Sequence, residues 1–187
     1  SIIEDVQGNI NGDYKELPLF LPRQECKDLL EYAEDTYQQV LKNPTAPSVT
    51  WESSTHIEED FRFEVEPHVV EDLIGRDSLR RLYTAFAEFT DASNPKMVIR
   101  RTAIKGNKHI CYHNDGDFAV MHVFLNGDDL DGGNLHYLTP QGAVSTGAST
   151  GTVLLHQNGI VHGISPFHGT RVILVVIAGT ESQKTEL

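Results

Sequence analysis

No apolar run in this 187-residue chain reaches the length of a membrane span. No signal-peptide pattern opens it either, so the expectation is a cytoplasmic protein that leaves membranes alone. Cysteine is nearly missing: Cys26 and Cys111 stand far apart and in no CxxC arrangement. That excludes a disulfide framework and leaves reduced thiols as the default. Positive charge is scarce. Lys and Arg number 15 against 27 Asp and Glu, a formal net charge of -12. Phosphate binding needs clustered basic side chains, so the balance argues against nucleic acid as a partner and speaks mainly to solubility. Internal repeats, low-complexity tracts and linkers are absent too. The length suits one domain with a real core and is short for two.

Periodicity then divides the chain. Residues 1–21 read as an irregular lead-in with an edge strand. Leu21-Pro22 opens a helix, because proline loses nothing in a first turn. Cys26, Leu29, Leu30, Ala33, Tyr37, Val40 and Leu41 give it one apolar face, and Asn43-Pro44 ends it. Residues 44–60 read as a polar loop holding the only tryptophan, Trp51. Phe61, Phe63 and Val65 alternate with charged residues as a half-buried strand does. Asp77 or Ser78 is expected to cap a second helix running to about Asp91, with Leu79, Leu82, Tyr83, Phe86 and Phe89 inward. From Lys96 the pattern is β throughout, with strands at Met97–Ile104, Lys108–His113, Phe118–Leu125, Asn134–Leu138, Ala143–Thr146, Thr152–His156, Ile160–Ile164 and Thr170–Ala178. Short strands punctuated by Gly, Asn and Asp predict a mainly β protein with flanking helices: a double-stranded β-helix, or cupin-like jelly roll, backed by two N-terminal helices. The whole of 1–187 is then one domain, with helical support at about 20–95 and the jelly-roll core at about 96–180.

The β-rich half carries the chemistry. His113-Asn114-Asp115 places an imidazole and a carboxylate two apart, which along a strand share a face. Two histidines and one carboxylate would form a face that leaves coordination positions open, suited to non-haem Fe(II). His156, His162 and His168 are the candidates for the third ligand. His162 is favoured, since it sits near the start of a short strand and is followed by Gly163-Ile164-Ser165-Pro166 and then Arg171. His156 ends an apolar run, and His168 falls in a turn. Nine histidines in the chain make chance pairs common, so the ordered conjunction of pair, Gly132-Gly133, histidine and arginine carries the reading. Arg171 opens an otherwise apolar strand and needs an acidic partner. That partner is a structural Asp or Glu on the blander reading, and the remote carboxylate of a 2-oxo acid on the functional one. A carboxylate ligand also fills the position a halide would take, which favours hydroxylation over halogenation.

These residues carry a resemblance. Arg100–Gly179, through HND, LNGDDLDGGNLHYL, GTVLLH and VHGISPFHGTR, resembles the catalytic core of the prolyl/lysyl hydroxylase branch of the Fe(II)/2-oxoglutarate dioxygenases. FLPRQECKDLLEYA at Phe20–Ala33 is similar to the helix that opens many prolyl hydroxylase domains, while residues 42–95 match least. The resemblance implies a hydroxylase with His113, Asp115 and His162 on Fe(II) and Arg171 on 2-oxoglutarate. It also implies O2 as the oxidant, ascorbate as an accessory cofactor, and a prolyl or lysyl residue in a peptide as substrate. Two departures stand out. A tyrosine that such proteins often carry upstream of the metal pair is missing from VIRRTAIKGNKH, and the strand after the pair offers His122 where a Tyr or Thr often meets the cosubstrate. His122 is therefore either a pocket residue or a hydrogen-bonded core residue. Residues 43–60 and 105–110 are the expected rim, where Trp51, Arg100, Arg101, Lys105 and Lys108 would meet an anionic or peptide group or else stay solvated. Competing readings are an oxygenase of a free amino acid or small natural product, an oxygen-sensing regulator, a cupin enzyme that uses no oxo acid, and a non-catalytic jelly-roll binding module.

Overall fold

The computed structural model describes residues 13–43, 49–51, 59–90, 92, 94–103, 109–116 and 118–179. Among the described residues, thirteen strands and two α-helices follow in the order β1 (Tyr14–Leu17), α1 (Arg23–Lys42), β2 (Val49–Trp51), β3 (Glu59–Glu64), α2 (Pro67–Phe89), β4 (Lys96–Ala103), β5 (Ile110–His113), β6 (Phe118–Phe124), β7 (Asp131–Gly132), β8 (Leu135–Thr139), β9 (Gly142–Ser145), β10 (Val153–His156), β11 (His162–Ile164), β12 (Phe167–His168) and β13 (Thr170–Gly179). All pairings are antiparallel. Seven strands form one sheet in the order β1-β10-β6-β13-β4-β3-β2, four form a second as β5-β11-β8-β9, and β12 pairs with β7.

Two apolar layers hold this together. The outer layer lies between the large sheet and the helices: Cys26, Leu29, Ala33 and Val40 of α1 with Leu79, Leu82 and Phe86 of α2, against Phe61, Ile99, Met121, Val123, Val172, Leu174 and Val176. The inner layer lies between the sheets, where Phe124, Leu154 and Ile173 meet Leu135, Tyr137 and Ile164. β13 has a covered face on each side, which is why its sequence is nearly all apolar rather than alternating. An inward position on that strand is a dry one.

Four expectations change. Residues 44–60 are not all loop, because β2 extends the sheet edge and β3 begins at Glu59. The second helix starts ten residues early: Pro67 is pre-organised for a first turn, and Val70 and Ile74 bury before Gly75, at φ 78°, interrupts the helical backbone. The Asp77/Ser78 signal marks the restart after that break. Leu41 is half exposed and does not join the α1 face. Arg100 and Arg101 are not rim residues. Arg100 binds buried Asp60 at 2.7 and 2.8 Å, and Arg101 binds Glu34 of α1 at 3.0 Å with its guanidinium over Tyr37. The rim expectations at Lys105, Lys108 and the Trp51 side chain lie outside the described residues. Among the described residues no helix is long and apolar enough to cross a membrane.

Candidate metal centre

The three side chains singled out as ligands converge. His113 closes β5 and lies directly across from His162 of β11, so the two imidazoles stand 4.5 Å apart, centroid to centroid. Asp115 joins them by a different route from the expected one. β5 ends at His113, and Asp115 sits in the turn that follows, where Asn114 accepts the Gly116 N–H through its own side chain and Gly116 takes φ 66°. A tight turn, and not strand alternation, brings the carboxylate back. Its Oδ1 lies 3.7 Å from His113 Nε2 and its Oδ2 lies 3.5 Å from His162 Nε2. The three ligand atoms fall within 4.8 Å of one another, a group that can hold a metal ion.

Backbone carbonyls prepare both imidazoles. His113 Nδ1 donates to the Cys111 carbonyl at 2.8 Å and His162 Nδ1 to that of Ile160 at 3.1 Å. Each leaves Nε2 as the lone-pair nitrogen, the tautomer a metal requires. Burial, with His156 beside it, pulls the His162 pKa down to about 3, so that lone pair is present at neutral pH. Burial alone would raise Asp115. The hydrogen bond from His156 and the neighbouring imidazoles outweigh it and hold the carboxyl well below its usual range.

The depressed His162 makes an acid-stability prediction. The folded state refuses a proton that the unfolded chain takes up below about pH 6.5, so this contribution is complete above that pH and drains away as pH falls toward 3. The metal-free protein is expected to lose on the order of 2 kcal/mol between about pH 6.5 and pH 5 from this group. Denaturant titrations at the two pH values check it, and identical unfolding free energies would contradict it.

Arg171 lies deeper. It is 1% exposed on the inner face of β13, 5.1 Å from the Phe124 ring centroid. Its Nε and Nη2 make no hydrogen bond among the described residues. The nearby carboxylate, Asp60, is already taken by Arg62 at 2.6 Å and by Arg100. Burial, then the charge of Arg100, lowers the Arg171 pKa to about 9, which leaves the guanidinium charged at neutral pH. Two further orphans face the same interior: Thr102 Oγ1, on the residue directly across from Arg171 in β4, and His122 Nδ1 on β6. Burial, with His156 and the Arg171 guanidinium close by, holds His122 well below its ordinary pKa. Buried polar groups are rarely left bare, and these three together line a polar socket without protein partners among the described residues.

No family model matches the chain, and no curated protein matches it by sequence. Solved structures do. A Pseudomonas putida prolyl-4-hydroxylase aligns at 15% identity over 91% of this chain and 94% of that one, with a TM-score of 0.62. A Trichoplax adhaerens prolyl hydroxylase, solved with a hypoxia inducible factor oxygen degradation domain peptide, aligns at 14% over 93% and 87%, with a TM-score of 0.66. SnoN, a non-haem α-ketoglutarate-dependent epimerase of nogalamycin biosynthesis, aligns at 16% over 91% and 78%, with a TM-score of 0.58. The fold is the one these enzymes share.

Within that fold, the two rejected ligand candidates separate sharply. His168 is exposed on the β7–β12 ribbon. His156 is 1% exposed and inside the site, with Nε2 3.1 Å from Asp115 Oδ2 and Nδ1 3.0 Å from the Tyr137 hydroxyl. Thr102, Tyr137 and the Asp60 cluster were not singled out by sequence. Each matters through partners on other strands, and no local pattern marks them.

Proposed function

We propose that this chain is a single-domain Fe(II)- and 2-oxoglutarate-dependent dioxygenase with a double-stranded β-helix core, and that it hydroxylates a prolyl or lysyl residue in a peptide or protein. In this reading His113, Asp115 and His162 hold the iron, while Arg171 holds the distal carboxylate of 2-oxoglutarate with Thr102 and His122 beside it. The observation that carries it is the buried guanidinium of Arg171, whose Nε and Nη2 find no partner among the described residues, on the same interior as the metal group. A structural ion pair would have closed that socket with a protein carboxylate. Iron and 2-oxoglutarate, when bound, supply the oxidising chemistry with O2, and ascorbate would keep the iron reduced. The chain's own share is positional. Carbonyl contacts at Nδ1 turn both imidazoles so that Nε2 faces the ion, the ionised Asp115 offsets the ion's charge, and the apolar interior between the sheets excludes water.

A peptide substrate draws support from the Trichoplax complex. The second reading is an oxygenase of a free amino acid or small natural product, and SnoN, an epimerase of nogalamycin biosynthesis, supports the natural-product part of it. The test is a thermal melt under anaerobic conditions. Fe(II) is expected to raise the melting temperature and 2-oxoglutarate to raise it further only when metal is present. Succinate release against prolyl peptides, lysyl peptides and free amino acids then selects the substrate class. No shift with metal or oxo acid would leave a non-catalytic binding module.

A further inference from the structure

His156 belongs to neither the ligand set nor the anion socket, yet it lies between them. Its ring centroid is 4.5 Å from that of His162 and 5.5 Å from that of His122. It comes from β10 of the large sheet, whereas both of its hydrogen-bond partners belong to the small-sheet side: Asp115, just after β5, and Tyr137 of β8. Tyr137 in turn is fully buried, lies directly across from His162, and stacks on Tyr14 of β1 with centroids 4.5 Å apart and planes 14° from parallel. Asp115 sits in a turn, so nothing in its own backbone fixes the carboxylate plane. Among the described residues, His156 is the side chain that donates to it.

We infer that His156 is a positioning residue, aimed by Tyr137, that pins Asp115 Oδ2 and leaves Oδ1, the oxygen facing His113, for the ion. The assignment rests on the metal-site reading above. Its proton placement follows from the partners. An ionised carboxylate only accepts, so Nε2 of His156 carries a hydrogen, and the Tyr137 O–H donates to Nδ1. Burial, with Asp115 nearby, pushes the Tyr137 pKa up, which keeps that phenol protonated. The chain Tyr137→His156→Asp115 thus runs one way and ties the two sheets together at the one ligand that no strand holds. Apolar packing alone would not select this arrangement, since an isosteric hydrocarbon at 156 would fill the same space.

The experiment uses the whole chain and Co(II) alone as the probe, with affinity from calorimetry and ligand geometry from the visible absorption bands. His156→Leu is expected to weaken Co(II) binding 10- to 100-fold, the range seen when a hydrogen-bond partner of a metal ligand is lost, and to shift the bands. His156→Gln returns an N–H at the distance of Nε2 and should recover most of the affinity. Tyr137→Phe, which removes one hydroxyl and keeps the ring stack, should weaken binding several-fold and serves as the test should His156→Leu fail to fold. Parent-like affinity and spectrum in His156→Leu, or a Gln variant as weak as the Leu variant, would overturn the role of His156. An unchanged Tyr137→Phe would remove the tyrosine from it. A parent chain that binds no Co(II) would strike down the metal-site reading itself, and this inference with it.

Discussion

Arg171→Met is expected to make the metal-free protein melt higher and the metal-loaded protein lose its response to 2-oxoglutarate. The two effects have opposite signs because one feature causes both. In the protein alone, a guanidinium 1% exposed carries Nε and Nη2 without partners, and its charge is offset only by an Asp60 that two other arginines share. Replacing a buried charge by an apolar side chain of similar volume is commonly stabilising by roughly 1–4 kcal/mol, which in a domain of this size is several degrees. With the oxo acid present, the same truncation leaves a carboxylate in a dry socket without its cation. The loss is about 3 kcal/mol, or a hundredfold or more in the 2-oxoglutarate KM. Arg171→Lys keeps the charge but not the planar fork and should fall between the two. Melting curves of the metal-free protein, and of the metal-loaded protein with and without the oxo acid, decide the matter. A destabilised Arg171→Met that still answers to 2-oxoglutarate would mean that the arginine serves Asp60 structurally.

Asp115→Ala is expected to reduce succinate formation by roughly a thousandfold or more, since it deletes a metal ligand where loss of a mere hydrogen-bond partner already costs 10- to 100-fold in affinity. The substitution also strips His156 Nε2 of its acceptor inside a closed interior, so a modest fall in stability should accompany the loss. His113→Ala should match it in activity with a smaller stability change, because that imidazole is partly exposed. The parent, stripped by a chelator, should regain turnover with added Fe(II), and Asp115→Ala should not. Substantial turnover in either variant would remove the three-residue site from consideration.

The parts of the molecule that sequence made legible are those whose cause is local. The apolar stripe of α1 is a property of one helix, and the alternation of Phe61, Phe63 and Val65 is a property of one strand. The early start of α2 was hidden because Gly75 breaks the period and makes Val70 and Ile74 look unconnected to Leu79 and Leu82. The meeting of His113, Asp115 and His162 is readable from order and spacing, although a turn after β5, and not a shared strand face, brings Asp115 in. The anion socket was half readable. Arg171 announced itself as the charged residue in an apolar strand, but Thr102 lies opposite it only through the β13–β4 register. His156 shows the limit most clearly. At the end of Val153-Leu154-Leu155 it looks like the last residue of a core strand, and it becomes a neighbour of Asp115 only because β10 faces the small sheet across the interior.

The position of β13 also bears on how the protein comes to exist. The strand nearest the end of the described chain lies in the middle of the large sheet, between β6 and β4, and carries Arg171. Until it docks, those two strands present unpaired edges to each other across a gap. Their closure waits on contacts between residues far apart in sequence, the arrangement that folds slowly. Folding of the β-rich half therefore waits on β13, and a chain that has not yet placed it has open ladders of the kind that chaperones cover.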